Sequence, residues 1–141
     1  MPGSAVVFAV AMATLVAAHQ LGDHIVQTDV IADAKAAPGL DGWRHLLIHV
    51  GTYHATALVM LMATAVTLDV PLTVSGTAMG LGFSALTHGF LDRRWPVRWV
   101  LQHTGSADFA ERMSPICGMY LADQALHYGC LWVAALFIAA F

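Results

Sequence analysis

Four apolar stretches, each close to the ~20 residues that a helix needs to cross a ~30 Å hydrocarbon core, limit what this chain can fold into. They run from about residue 4 to 24, 45 to 70, 72 to 91 and 116 to 141. Lipid offers the backbone no hydrogen-bond partner, so each stretch must be helical. The sequence therefore predicts an all-α fold with a single integral-membrane domain over residues 1–141. Its architecture is a four-transmembrane-helix bundle with a short interfacial segment between the third and fourth helices. Composition agrees: 11% of residues are charged and 58% hydrophobic, whereas a soluble domain carries about 25% charged residues. A net charge of only −3 argues against nucleic acid as a partner.

The connections carry the orientation. The first stretch has no basic residue ahead of it and leads into polar residues without a small-residue cleavage site, so it reads as a retained helix. Asp69-Val70-Pro71 ties the second stretch to the third in a tight hairpin, with Pro71 expected in the first turn of the next helix. All six Lys and Arg fall in the other two connections, residues 29–44 and 93–114. Four crossings put both connections on one side, which the positive-inside rule makes the cytoplasm, with both termini outside. The expected location is a plasma membrane. Trp95 and Trp99, one turn apart among Arg93, Arg94, Arg98 and Arg112, read as an interfacial segment with rings at headgroup level. Cys117 and Cys130 fall on different sides of one helix and do not pair with each other.

Polar residues in lipid are expensive, and here they are not scattered. The first helix carries His19, Asp23 and Gln27, and the second opens on His45 and His49. The third closes on His88 and Asp92, and the fourth holds Asp123, Gln124 and His127. Residues four apart share a helix face, so each set forms one polar stripe. With alternating helix directions, His19, His49, His88 and His127 all stand roughly 20–31 Å from the opposite membrane face at ~1.5 Å per residue. They can share one layer on the cytoplasmic side.

Imidazole nitrogen and carboxylate oxygen together suit zinc first, and manganese or iron as alternatives. Helix bundles build metal centres from such inward-facing side chains. The ligand pool is His19, Asp23, His49, His88, Asp92, Asp123 and His127, which exceeds one tetrahedral shell. The surplus implies one or two ions, with the remaining members orienting the ligating imidazoles. Gln27 and Gln124 are weak ligands, better suited to supporting the ligands or binding substrate. His45 is either a ligand or an interfacial residue. His24, His54 and His103 read as structural histidines, satisfied by hydrogen bonds across the bundle.

The runs AHQLGDHIVQTDVIADAK (18–35), HLLIHVGTYH (45–54), THGFLD (87–92) and LADQALHY (121–128) resemble a bacterial and phage family catalogued as domain of unknown function 3307. The resemblance covers nearly the whole chain and implies a bacterial or phage-encoded protein of the inner (plasma) membrane. By position it picks out His19, Asp23, Gln27, Lys35, His49, His88, Asp92, Asp123, Gln124 and His127. Such proteins often continue from His-x-x-x-Asp to a lysine, where this chain has Arg93-Arg94. More distantly the pattern is similar to predicted membrane-bound metal-dependent hydrolases.

These features lead to an expected function: a metal-dependent hydrolase acting on a lipid-like or polyprenyl-phosphate ester at the cytoplasmic face. Asp23, Asp92 and Asp123 are the candidate bases, and Lys35, Arg94 and His45 join the glutamines as supporting or substrate-binding groups. Membrane lipids are the expected surroundings, and self-association is open to such a bundle. The alternatives are a metal or proton transporter, or a subunit of one, since intramembrane Asp and His also serve as relays, and a structural protein stapled by metal.

Overall fold

The computed structural model describes residues 3–141, and every regular element among them is helical. Helix α1 (Ser4–Leu21) runs without a break into a π-helical turn, Gly22–Val26. Helix α2 (Asp29–Ala34) follows, capped by Thr28, whose hydroxyl accepts the Ile31 N–H at 3.4 Å. Then come α3 (Gly39–Leu68), α4 (Val74–Leu91), α5 (Trp95–His103), α6 (Ala107–Glu111) and α7 (Gly118–Ala140).

The helix ends depart from the apolar stretches in ways that polarity explains. The second stretch is expected from about residue 45, but α3 begins at Gly39. Its first turn is polar and carries Asp41, which suits a helix N-terminus and is invisible to hydropathy. In the hairpin, Asp69 adopts the left-handed conformation (φ 52°, ψ 45°) and ends α3. Pro71 is not in the first turn of α4 but in the linker before it. Thr73 starts the helix instead, because its hydroxyl accepts the Gly76 N–H at 2.9 Å and so satisfies a donor that has no intrahelical partner.

Helix α1 packs on α3 and α7, and α4 packs on both as well, so the four long helices close a ring. Away from the polar end its centre is apolar: Leu15 from α1, Ala57 and Leu61 from α3, and Leu131, Ala134 and Ile138 from α7. Helix α4 contributes Gly76, Gly80, Ser84 and His88, one buried residue per turn. A Cβ on Gly80 would lie 2.7 Å from the Ala134 carbonyl and 2.5 Å from Ile138 Cγ1. Small residues here let two backbones meet, the packing device used where both neighbours and solvent are apolar. The outer surface is greasy, with Val66 80% and Leu86 77% exposed.

Three helices are long and apolar enough to cross a membrane: Ser4–Val26, Gly39–Leu68 and Gly118–Ala140, with mean hydropathies of 1.8, 1.5 and 1.3. This is the build of a membrane protein. Helix α4, with 18 residues, is not among the three. The glycines that fit it against α7, Gly76 and Gly80, dilute its apolarity, as do its Ser and Thr residues. The short helices α2, α5 and α6 gather over one end of the ring. There Arg93 donates from Nη1 to the Lys35 carbonyl and from Nη2 to the Ala37 carbonyl, both at 2.9 Å. Its guanidinium also stacks 4.9 Å from the centre of the Trp43 ring, which ties the start of α3 to the end of α4.

Candidate metal centre

The end of the ring covered by these short helices is where the polar side chains meet. Helix α1 supplies His19 and, one turn later, Asp23 from its π-helical turn. Such turns insert an extra residue and recur at functional sites. Just before Asp23, a Cβ on Gly22 would come 2.5 Å from Cδ2 of Tyr53, so glycine is what lets α1 close on α3 at this level. From α3 come His49 and Tyr53, both with no exposed surface. His88 and Asp92 sit at the end of α4, where Asp92 caps the helix. Gln124 and His127 face inward from α7.

Three atoms form a tight triangle: His49 Nε2, His88 Nε2 and Asp92 Oδ2. The two imidazole nitrogens are 2.9 Å apart, and they lie 3.2 and 3.3 Å from the carboxylate oxygen. A zinc tetrahedron with arms of ~2.0–2.1 Å has ligand–ligand edges of about 3.3–3.4 Å. The triangle therefore has the size of one face of such a shell. Asp23 Oδ1 stands 3.4 Å from His49 Nε2 and 3.5 Å from His88 Nε2, edge distances of the same size. A second group, His19, Asp23 and His88, also has ligand atoms within 4.8 Å of one another.

The His49 and His88 Nε2 atoms meet each other at hydrogen-bond distance, 2.9 Å, but other polar atoms of the cluster are left unpaired. Asp23 Oδ1, Asp92 Oδ2, His19 Nδ1 and His127 Nε2 are buried without a hydrogen-bond partner, as are Nδ1 of His49 and of His88. A buried polar atom left unpaired costs roughly 1–3 kcal/mol, and more when charged. Two carboxylates share this pocket, with side chains only 8% and 4% exposed. The buried cation beside them is Lys35, whose Nζ lies 2.7 Å from Asp92 Oδ1. Lys35 takes one Asp92 oxygen and leaves the other for the imidazoles. A divalent ion would satisfy the acceptors and balance the second carboxylate together, so the residues fit such an ion.

Around this centre each histidine is held by its other nitrogen or by its neighbours. His19 Nε2 lies 3.2 Å from Gln124 Oε1, and Gln124 donates in turn to Asp123 Oδ2 at 3.4 Å. His127 Nδ1 is 2.9 Å from the Asp123 carbonyl. The Tyr53 ring lies 4.1 Å, centre to centre, from the His88 ring. Beside the centre opens a cleft of about 710 Å³, whose polar lining includes Asp23, Lys35, Asp92, Arg94, Arg98 and Asp123. Arg94 is the middle of a tight turn in which Trp95 N–H meets the Arg93 carbonyl at 2.7 Å, with φ 62° and ψ −35°. That is a γ-turn of the strained kind, in a segment that lines the cleft.

The structure thus brings His19, Asp23, His49, His88, Asp92, Gln124 and His127 into one cluster. Asp123 sits at its edge, with its side chain 24% exposed toward the cleft. Gln27 lines the cleft and donates to the Asp23 carbonyl at 3.1 Å. His45 lies outside the cluster: its Nδ1 is 2.9 Å from the Asp41 carbonyl one turn back. His54 is turned aside, bonded to the Val50 carbonyl and to Ser84 Oγ. His24 pairs with Tyr120 at 2.8 Å, and His103 with the Trp99 carbonyl. Two contributors are not among the site residues expected from the sequence. Tyr53 could have been found from its i,i+4 spacing to His49. Arg93 offered no local signal, since its partners are backbone carbonyls of a distant linker.

The family model described as Protein of unknown function (DUF3307) matches residues 11–141, and the chain belongs to that family. No curated protein and no solved structure matches it.

Proposed function

We propose that this member of the family is an integral-membrane, metal-dependent hydrolase of a lipid-like or polyprenyl-phosphate ester. The ion, zinc in the first instance, is held by His49, His88 and Asp92. One observation carries the reading: the three ligand atoms are 2.9–3.3 Å apart, buried beside an open cleft, with the Asp92 oxygen lacking any hydrogen-bond partner. Three protein ligands beside a cleft lined by Asp92 and Asp23 suit a catalytic zinc better than a closed structural one. When bound, such an ion lowers the pKa of a water to about 7 and polarises a phosphoryl or carbonyl oxygen.

The chain's own residues supply the rest. Asp23 Oδ1, at 3.4–3.5 Å from both imidazole nitrogens, is placed to accept a proton from the attacking water. Lys35 fixes the Asp92 carboxylate, the outer-shell role that keeps a ligand in position. Arg94 and Arg98, on the cleft wall, match the charge of a phosphate, and the nearby Trp95, Met113 and Met119 suit an apolar chain. In this reading α4 is a fourth crossing and the cleft faces the cytoplasm, where the basic residues of 29–44 and 93–114 lie. Both termini are then outside, and Trp95 and Trp99, 59% and 54% exposed, sit at headgroup depth. The apolar centre of the ring, from Leu15 to Ile138, favours hydrolysis over transport, because beyond the cluster the described core is mainly apolar, with hydroxyls such as the Thr14–Thr64 pair.

The test is hydrolysis of a polyprenyl phosphate or phospholipid ester by detergent-purified protein, with and without zinc, beside His49→Ala and Asp92→Asn. Zinc-dependent turnover lost in both variants is expected. Equal turnover in the chelated protein or in the variants would refute the assignment.

A further inference from the structure

We propose a second divalent-cation site on the α1–α7 side of the cluster, formed by His19, His127 and Asp23 against His88. Asp23 would then bridge two ions, and the base role it has in the one-ion reading would pass to Asp123 at the cleft edge. This inference rests on the metal reading above and extends it from one ion to two.

The argument starts from which ring nitrogens carry protons. The Asp123 carbonyl can only accept, so His127 Nδ1, 2.9 Å away, is the donor of that bond. The neutral ring then presents a bare lone pair at Nε2, which is buried and unpartnered, on a residue 2% exposed. His19 is fixed by a longer relay. The Gln124 amide nitrogen donates to Asp123 Oδ2 at 3.4 Å, so its oxygen is the end that meets His19 Nε2 at 3.2 Å. That nitrogen is therefore the donor, and the lone pair of His19 lies at Nδ1, again buried and unpartnered. Nδ1 points at Asp23 Oδ2 across 3.6 Å. Two acceptors face each other with no proton between them.

The three groups are close neighbours. The His19 and His127 rings stack with centres 5.1 Å apart, and His127 lies 4.6 Å from His88. His19, Asp23 and His88 offer ligand atoms within 4.8 Å of one another. Asp23 is the natural bridge, because Oδ1 approaches His49 and His88 while Oδ2 approaches His19. Carboxylate-bridged ions ~3.5–4 Å apart clamp both the attacking and the leaving oxygen of a displacement at phosphorus. A second ion would also balance the charge of Asp23, which has no lysine or arginine of its own comparable to the Lys35 of Asp92.

The experiment is a metal count on the full-length protein in detergent, saturated with zinc, desalted and measured by elemental analysis. Its companion is electron paramagnetic resonance of the manganese-loaded form. Two ions per chain, an exchange-coupled manganese spectrum, and one ion with an uncoupled spectrum in both His19→Ala and His127→Ala are expected. One ion per chain in the wild type overturns the second site and leaves the His49, His88 and Asp92 site standing. No ion overturns both. Two ions retained in both variants overturn the assignment of ligands. If either variant fails to fold, the wild-type ratio and spectrum still decide.

Discussion

Replacing Lys35 with methionine removes a buried charge at similar volume and leaves Asp92 facing it alone. The Lys35 Nζ–Asp92 Oδ1 contact is 2.7 Å, and the two side chains are 9% and 4% exposed. At that distance the attraction is about 6 kcal/mol for an effective dielectric of ~20, and part of it is offset by the cost of desolvating both groups. Removing one partner of such a pair costs roughly 3–5 kcal/mol, because the other charge stays buried. In metal-free protein, Lys35→Met is expected to lose stability of that size, and the double variant Lys35→Met/Asp92→Asn to recover most of it. Saturating zinc should also restore much of the single variant's loss, since the ion neutralises the stranded carboxylate. Its zinc affinity should nonetheless fall by about 10–100-fold, the usual effect of losing a group that orients a ligand. The assay is urea or thermal unfolding in detergent, with and without zinc, in a double-mutant cycle. A metal-free Lys35→Met within ~1 kcal/mol of the wild type, the range of an exposed ion pair, would refute the claim that this pair is buried and structural.

Other outcomes follow from the same geometry. Gly22→Ala places a Cβ 2.5 Å from Tyr53 Cδ2, on a ring wedged against His88, so a loss of about 1–3 kcal/mol is expected by thermal melting. Gly80→Leu drives side-chain atoms into the Ala134 carbonyl and Ile138 of α7; it should abolish the folded protein on size-exclusion chromatography, whereas Gly82→Ala, with nothing within 4 Å, should be silent. Arg94→Gly relieves a positive φ of 62°, worth about 1–3 kcal/mol of strain, so it should raise the melting temperature while weakening retention of a phosphorylated lipid. Metal ligands must be deprotonated to bind. Zinc affinity, followed by competition with a chelator, should therefore be high at neutral pH and fall on acidification, whereas a proton-only network would release no metal at any pH.

Much of the candidate site was legible because lipid penalises polar residues so heavily that each one must be used. The pairs His19/Asp23, His88/Asp92 and Asp123/His127 announce themselves by i,i+4 spacing, and alternating helix direction puts them at one end. Other features depend on contacts that no local pattern encodes. Lys35 sits in a polar connection where only the family resemblance picks it out, and it folds back over 57 residues of chain to meet Asp92. Arg93 reads as a topology signal but ties backbone carbonyls together. Gly22 is one glycine among 12, and its role appears only when α3 brings Tyr53 against it. His45 shows the converse, sharing the spacing of a ligand pair while bonding to its own helix. The early start of α3 escapes hydropathy because its first turn lies beyond the apolar stretch.

The central claim is that His49, His88 and Asp92 hold a metal ion. Diffraction from crystals of the zinc-supplemented protein, recorded above and below the zinc absorption edge, tests it most directly. An anomalous peak about 2.0–2.2 Å from His49 Nε2, His88 Nε2 and Asp92 Oδ2 is the expected result. The absence of any peak among these residues, with the imidazoles and carboxylates hydrogen-bonded to one another or to water, would contradict it.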